Sequence, residues 1–279
     1  MTTAKYKLTK ETISVNGKTL YRIEALKDFS DVKKGDKGGF VENEDNLSQS
    51  DDCWVYDDAA VYGNARVFGG AIVCDNAIVR DNAVILTYAK IYDHAEVYGH
   101  ARLYDHAKAY GNAVVCDNVE LSGNARVYGC AEIYGNAIVR DNAEVYDYAV
   151  ICNNAKVLGD VEVYDSAKIF GNAEVHYHAK VRGNAKVYDN AIVSDNAIIY
   201  NNARIYGNAY VYDNARVCGD TYVYNNARVF GDAEVYGNAE VYDDTKVYDD
   251  AVVYGNAVVC GHAVVRGNAK VHGFAVVRE

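Results

Sequence analysis

The segment Val235-Tyr236-Gly237-Asn238-Ala239-Glu240 shows the six-residue unit from which most of the sequence is built. Every sixth position from Val55 to Val277 holds Val, Ile or Leu, with Ala109 as the exception. The residue two positions earlier is Ala, except where another small or β-branched residue stands: Cys53, Val119, Val161, Thr221 and Thr245. Because no residue is inserted or deleted over this range, the repeat decides the fold class.

Each unit has the pattern of a short β-strand followed by a corner. Its Ala and Val are separated by one variable residue, so both point inward from a strand. Apolar residues alternately two and four apart would spread around a helix, which excludes that structure. The next two residues, most often Gly-Asn or Asp-Asn, tolerate the left-handed backbone of a sharp turn. We therefore expect three units to close one triangular coil, and coils to pair in parallel about 4.8 Å apart.

The phase of the repeat, an aliphatic residue followed by Gly/Asp-Asn-Ala, resembles the hexapeptide repeat of left-handed parallel β-helix proteins, best known from acyltransferases. A narrower similarity to bacterial YdcK-like proteins, which are classed with acetyltransferases, lies in four segments near the start: Asp28–Gly35, Gly38–Val41, Asn46–Gln49 and Cys53–Tyr56. The resemblance implies a left-handed coil. For an acyltransferase it also implies a histidine general base, a projecting loop and an acyl-CoA cleft between subunits.

The N-terminal region departs from the repeat. Residues 1–26 alternate in polarity, and Val15-Asn16-Gly17-Lys18 is a strong hairpin signal. We expect strands near Tyr6–Leu8, Thr12–Val15 and Leu20–Ala25, and an irregular cap over residues 27–52. The predicted fold is all-β: a hairpin cap over residues 1–52, then an uninterrupted single-stranded left-handed parallel β-helix over residues 53–279. The helix would have about 12 triangular coils and be roughly 60 Å long.

Composition narrows the function classes. The net charge of −11 argues against nucleic acid and against anionic membrane surfaces. The seven cysteines include no pair 18 residues apart and no Cys-x-x-Cys, so neither disulfides nor a structural zinc site are expected. Free thiols and the lack of a signal-peptide pattern predict a cytoplasmic protein. No cofactor or metal is predicted, because turn geometry explains the stacked corner aspartates better than Ca²⁺ binding does.

Tyrosine is in excess, with 26 residues, most of them just after the inward Val. Tyrosines 18 residues apart lie above one another on the same predicted face and form outward columns. One column is Tyr92, Tyr110, Tyr128, Tyr146 and Tyr164, and another is Tyr188, Tyr206, Tyr224 and Tyr242. Such columns either stack and stiffen the sheet or form a contact surface for a partner.

Histidines are the candidates for acyltransferase chemistry. His94, His100, His106 and His178 occupy the Asn position of the corner, where His shares some of the tolerance of Asn for the left-handed region. Three of them fall on successive corners of one coil and so cannot converge. The repeat also leaves no loop between Val55 and Val277 to build a cleft.

The sequence thus predicts a non-catalytic structural or interaction solenoid: a rigid rod whose C-terminal edge is uncapped. Self-association would use the Tyr-rich faces or the C-terminal edge at Val265, Val271 and Val277, giving a homo-oligomer. Two alternatives stay open. One is an acyl-CoA-dependent acyltransferase with one of the four histidines as base, and the other is a carbohydrate-binding module whose Tyr faces meet a glycan or another partner.

Overall fold

A computed structural model describes residues 4–279, which divide into two compact units after Gly135. The first unit opens with an antiparallel hairpin of β1 (Tyr6–Val15) and β2 (Lys18–Ala25). At its turn Asn16 and Gly17 have φ of 49° and 77°, as a type I′ turn requires. The predicted hairpin is confirmed, although the two strands expected before Asn16 form one strand whose register shifts between Leu8 and Thr12.

The segment expected to be irregular contains a strand and a short 3₁₀ helix. Strand β3 (Lys37–Val41) pairs antiparallel with β2 and parallel with Ala60–Val61, and the 3₁₀ helix spans Glu44–Asn46. The sequence analysis missed β3 because Gly38 and Gly39 read as loop residues. Instead, they allow close backbone approach: a Cβ on Gly39 would lie 2.5 Å from the Ala59 carbonyl oxygen. The domain boundary predicted after residue 52 stays a prediction.

The rest of the first unit is built from two-residue strands, one for each sequence unit. They are β4 Trp54–Val55, β5 Ala60–Val61, β6 Arg66–Val67, β7 Ile72–Val73, β8 Ile78–Val79, β9 Val84–Ile85, β10 Lys90–Ile91, β11 Glu96–Val97, β12 Arg102–Leu103, β13 Lys108–Ala109, β14 Val114–Val115, β15 Glu120–Leu121, β16 Arg126–Val127 and β17 Glu132–Ile133. Each strand pairs in parallel with the strand three positions later, as β4 does with β7 through Trp54 and Ile72. Strand β3 pairs with the first strand of the sheet formed by β5, β8, β11, β14 and β17. The predicted 18-residue coil is thereby confirmed.

The second unit repeats this plan. Its strands are β18 Ile138–Asp141, β19 Glu144–Val145, β20 Val150–Ile151, β21 Lys156–Gly159, β22 Glu162–Val163, β23 Lys168–Ile169, β24 Glu174–Tyr177, β25 Lys180–Val181, β26 Lys186–Val187, β27 Ile192–Val193, β28 Ile198–Ile199, β29 Arg204–Ile205, β30 Tyr210–Val211, β31 Arg216–Val217, β32 Tyr222–Val223, β33 Arg228–Val229, β34 Glu234–Val235, β35 Glu240–Val241, β36 Lys246–Val247, β37 Val252–Val253, β38 Val258–Cys260, β39 Val264–Val265, β40 Lys270–Val271 and β41 Val276–Arg278. Its three parallel sheets end at β39, β40 and β41.

The inward columns form the core of each unit. From Val55 to Val259 the inward aliphatic residues, including Ala109, are at most 1% exposed. Small Ala and branched Val alternate along the chain, and both are buried in the narrow interior of each coil. The all-β parallel solenoid is therefore confirmed. The hand of the coil stays a prediction from the resemblance.

Hydrogen bonds between coils explain the residues at the corners. The first corner residue has positive φ and is Gly, Asp or Asn nearly everywhere. Where it is Asp, a carboxylate oxygen accepts a hydrogen bond from the N–H of the corner one coil later, as Asp93 does from Gly111 at 3.0 Å and Asp213 from Gly231 at 3.1 Å. Asp thus tolerates the left-handed backbone and also satisfies an N–H of its neighbour.

The second corner residue forms amide ladders. In the second unit each side-chain amide donates to the residue 18 positions later, at 2.9 to 3.2 Å, along the column Asn136, Asn154, Asn172, Asn190, Asn208, Asn226 and Asp244. A second ladder, Asn184 to Asn202 to Asp220, follows the same direction. Both end on a carboxylate, which accepts but cannot donate.

Candidate interaction surfaces

The outward tyrosines stack along the predicted columns. In the second unit the rings of Phe170, Tyr188, Tyr206, Tyr224 and Tyr242 follow one another at 4.8 to 4.9 Å between centroids. Their planes are within 13° of parallel. The spacing equals that of the paired strands, so each ring lies over the ring of the next coil.

Shorter columns share this geometry. In the first unit Tyr92, Tyr110 and Tyr128 stack at 4.7 and 4.8 Å, and in the second Tyr146 and Tyr164 stack at 5.0 Å. All the predicted column tyrosines are half-buried. Because the faces of neighbouring rings cover each other, the columns present ring edges and hydroxyls to the outside. The stacked arrangement supports the stiffening role more than it supports a ring-face contact with a ligand.

Several tyrosines of these columns have a hydroxyl whose pKa is raised. Burial, with the adjacent Tyr110 adding to it, raises the pKa of Tyr92 to about 12. Burial also raises the pKa of Tyr146 and Tyr224 to about 12, and the nearby carboxylates Glu162 and Glu240 act in the same direction.

We expect the folded state to lose stability as the pH rises from about 10 to about 12. An unfolded tyrosine ionises near pH 10, whereas Tyr92, Tyr146 and Tyr224 keep their protons to about 12 in the folded state. Between these values the folded state binds more protons, so the free energy of unfolding falls with rising pH and is unaffected below the window. Tyrosinate absorbance and circular dichroism, recorded together during an alkaline titration, check this. Ionisation of every tyrosine near pH 10 with native structure intact would contradict it.

The four candidate histidines remain apart. His94, His100 and His106 lie at the corners that follow β10, β11 and β12, and each of these strands belongs to a different sheet. His178 lies in the second unit, with its Nδ1 3.2 Å from a carboxylate oxygen of Asp160. All four side chains are exposed at corners. The structure therefore does not bring them together into one site.

The last coil exposes residues that are buried elsewhere. Ala269 and Ala275 are exposed, and Val271 and Val277 are half-buried, although they occupy the inward positions. Val265, also predicted for this edge, is only 4% exposed and so differs from Val271 and Val277. Phe274 is 85% exposed at the adjoining corner. Within residues 4–279, the outer edges of β39, β40 and β41 have no neighbouring strand.

In the first unit the cap covers the first coil. Tyr6, Leu20, Ile23 and Leu47 are at most 1% exposed, and the ring of Trp54 packs edge-on against Tyr6 and Phe29. The outermost strand, β1, carries a register shift and contains Lys7, Lys10 and Glu11; irregular pairing and charge are both common protections against strand addition.

A groove in the first unit was not predicted from the sequence. It has a volume of about 640 Å³ and lies where the cap meets the first coils; Ser30, Ser50, Asp51, Asp52, Tyr56, Gly69, Gly70, Ile72, Thr87, Tyr88 and Lys90 line it. Tyr88 is 57% exposed there. The sequence signal for this groove was Gly70, which occupies the second corner position, where all the other units of the repeat have a residue with a side chain.

Two further features bear on function. Within residues 4–279 no group of three or more His, Cys, Asp or Glu side chains is arranged to hold a metal ion. No helix in the part of the chain that the structure describes is long and apolar enough to cross a membrane.

Sequence comparison agrees with the stacked coils. Four segments match a family model described as the YdcK beta solenoid repeat: residues 59–75, 185–201, 203–219 and 246–261. These segments are similar to YdcK β-solenoid repeats. Each matched YdcK segment covers about one coil, and the four lie in both units. No curated protein matches the sequence.

Proposed function

We propose that the protein is a non-catalytic structural solenoid that associates with a second copy of itself through the edge of its last coil. The observation that carries the proposal is the exposure of Ala269, Ala275, Val271 and Val277, whose counterparts in earlier coils are buried. Apolar area removed from water by a partner would drive association. The unpaired strand edges beside it would supply backbone hydrogen bonds.

A two-fold arrangement suits this edge best. Two identical edges can pair antiparallel, each presenting the same patch to the other, and such contacts close after two copies. Head-to-tail stacking would need the last coil to pair with the N-terminal end, which the hairpin covers. The expected assembly is therefore a dimer that does not extend into a fibre.

The alternatives have weaker support. The acyltransferase hypothesis is supported only by the sequence resemblance, because the candidate histidines lie on separate corners. Measurable binding of acetyl-CoA would favour this hypothesis. Glycan binding by the Tyr columns would need free ring faces, and the stacked rings leave those faces covered.

We expect the chain to sediment as a dimer that dissociates on dilution, and Val271→Lys to sediment as a monomer. A lysine at this inward position would place a charge in the apolar contact. The measurement is sedimentation velocity over a roughly hundredfold range of concentration, since association follows mass action. Val264→Lys is the matched control, because Val264 is an exposed outward residue of the neighbouring strand β39.

Circular dichroism spectra of both variants are recorded first, to check that each variant is folded. A wild-type chain that stays monomeric at every concentration would refute the proposal. A Val271→Lys variant that dimerises as strongly as the wild type would also refute it, and would move attention to the Tyr faces.

A further inference from the structure

The last coil has a charge opposite in sign to that of the whole chain. Residues 262–279 contain three cations, Arg266, Lys270 and Arg278, and a single carboxylate, Glu279. The chain as a whole has a net charge of −11. The end of the second unit is therefore locally basic, although the protein is acidic.

The three cations surround the apolar patch of the last coil. Arg266 follows β39, Lys270 belongs to β40 and Arg278 ends β41, so each of the three sheets contributes one cation. Each is adjacent to an inward Val, and neighbours in a strand point to opposite faces, so the three side chains point outward. All three are exposed. We call these three residues the basic rim.

The basic rim lacks the ion pairs that other cations of the second unit form. Lys156 lies 2.8 Å from Glu174, and Lys180 lies 2.8 Å from Glu162, in each case between neighbouring coils. Within residues 4–279, no residue of the basic rim forms an ion pair. The charge of the rim is therefore left to water or to a partner.

Carboxylates of the preceding coil already have partners in the last coil. Asp249 accepts a hydrogen bond from the N–H of Gly267 at 3.0 Å. A carboxylate oxygen of Asp244 lies 3.6 Å from Nδ1 of His262. These contacts are with a corner backbone group and a corner histidine, not with the basic rim.

The proposed dimer would bring two basic rims together, and the following inference rests on that dimer. A two-fold contact presents the same patch on both copies, so rim faces rim. Paired edges would place the rims about one strand spacing, 4.8 Å, apart. Like charges opposite each other on paired strands are destabilising, and a distance below the Debye length of about 8 Å leaves them poorly screened. The apolar patch favours association, whereas the basic rim opposes it.

We propose that a small oxyanion with more than one negative charge, such as phosphate, binds between the two basic rims and controls dimerisation. The guanidinium groups of Arg266 and Arg278 can each hold an oxyanion through two N–H donors, and Lys270 supplies a further charged donor. An anion between the copies contacts both rims, whereas a monomer offers it only one. The anion therefore favours the dimer by mass action.

Sedimentation velocity in sodium chloride and in sodium phosphate of equal ionic strength tests the proposal. We expect millimolar phosphate to tighten the dimer of the intact chain about fivefold or more, which is the lower end of the usual coupling between two ligands. The ionic strength is matched so that general screening of the two rims is the same in both solutions.

A rim variant with both Lys270→Gln and Arg278→Gln separates anion binding from a structural role. It keeps the apolar patch, so it should dimerise more tightly than the intact chain in chloride and should lose the response to phosphate. The control carries Lys168→Gln and Lys186→Gln, which remove the same charge from β23 and β26, at least five strands away from β41 in the same sheet. The control should behave as the intact chain does.

The outcomes are distinct once circular dichroism shows that each variant is folded. A chain that is monomeric in both solutions contradicts the proposed dimer and, with it, this inference. A dimer of equal strength in chloride and phosphate overturns the anion control alone. An equal gain from phosphate in the intact chain and the rim variant would also overturn it, because exclusion of phosphate from apolar surface would then be the cause. Val264→Lys adds a cation beside the rim and should still dimerise, with a larger response to phosphate.

Discussion

Replacing Gly39 with Ala is expected to lower the free energy of unfolding of the cap by about 3 kcal/mol or more, the upper range for overpacking. The added Cβ would lie 2.5 Å from the Ala59 carbonyl oxygen and 2.7 Å from a methyl carbon of Val55. Ala59 and Val55 are both buried, and the first contact is with backbone, so neither can move without shifting a strand.

The single tryptophan offers a local probe for this prediction. Trp54 is buried where the cap meets the first coil, so its fluorescence in a urea titration reports the cap. Gly267→Ala is the control, because a Cβ there meets no atom within 4 Å and only the cost of its positive φ remains. An unchanged urea midpoint for Gly39→Ala would show that the cap is looser than the packing indicates.

Deleting one coil should be tolerated, whereas a deletion shorter by one residue should not. Removal of Lys186–Ala203 joins Ala185 to Arg204 and preserves the 18-residue register of every later hydrogen bond, such as Asn238 to Asn256. Removal of Lys186–Asn202 instead shifts the later chain by one position. Inward Val and Ala would then face solvent, because a one-residue slip in a strand reverses every side chain.

We therefore expect the one-coil deletion to melt within a few degrees of the wild type, since stability in repeat proteins is close to a sum over neighbours. The shorter deletion should lose the strand signal of the second unit in circular dichroism and become sensitive to proteolysis. Equal stability of the two deletions would mean that the inward columns do not determine the fold.

The inward columns were predictable because, in a solenoid, the residues that recur with the period of the repeat are the ones buried in the interior. Val and Ala recur every six residues only if each meets the same interior, and the structure buries them as expected. The corners followed in the same way, since Gly, Asp and Asn are the residues that tolerate positive φ.

What escaped prediction depends on contacts between distant segments. Gly38 and Gly39 read as loop residues, because no local pattern shows that backbone from residues 55–59 approaches them. The orientation of the Tyr rings was also undetermined, as a column of residues does not reveal whether faces or edges point outward. Gly70 is visible in the sequence as a departure from the repeat, but the groove that it lines with Asp51, Asp52 and Tyr88 forms only when the coils are stacked.

The amide ladders have a consequence for the chemical ageing of the protein. Asparagine is a thermolabile residue that deamidates to aspartate, which removes a donor and adds a charge. The ladders already end on Asp220 and Asp244, so the fold accommodates one such change at the end of a column. A lesion at Asn190 would instead remove the donor to Asn208 in mid-column, and would do so on an acidic surface. Deamidation would thus have unequal effects: almost no ladder hydrogen bond is lost when it occurs at the end of a ladder, whereas each event within a ladder removes one more.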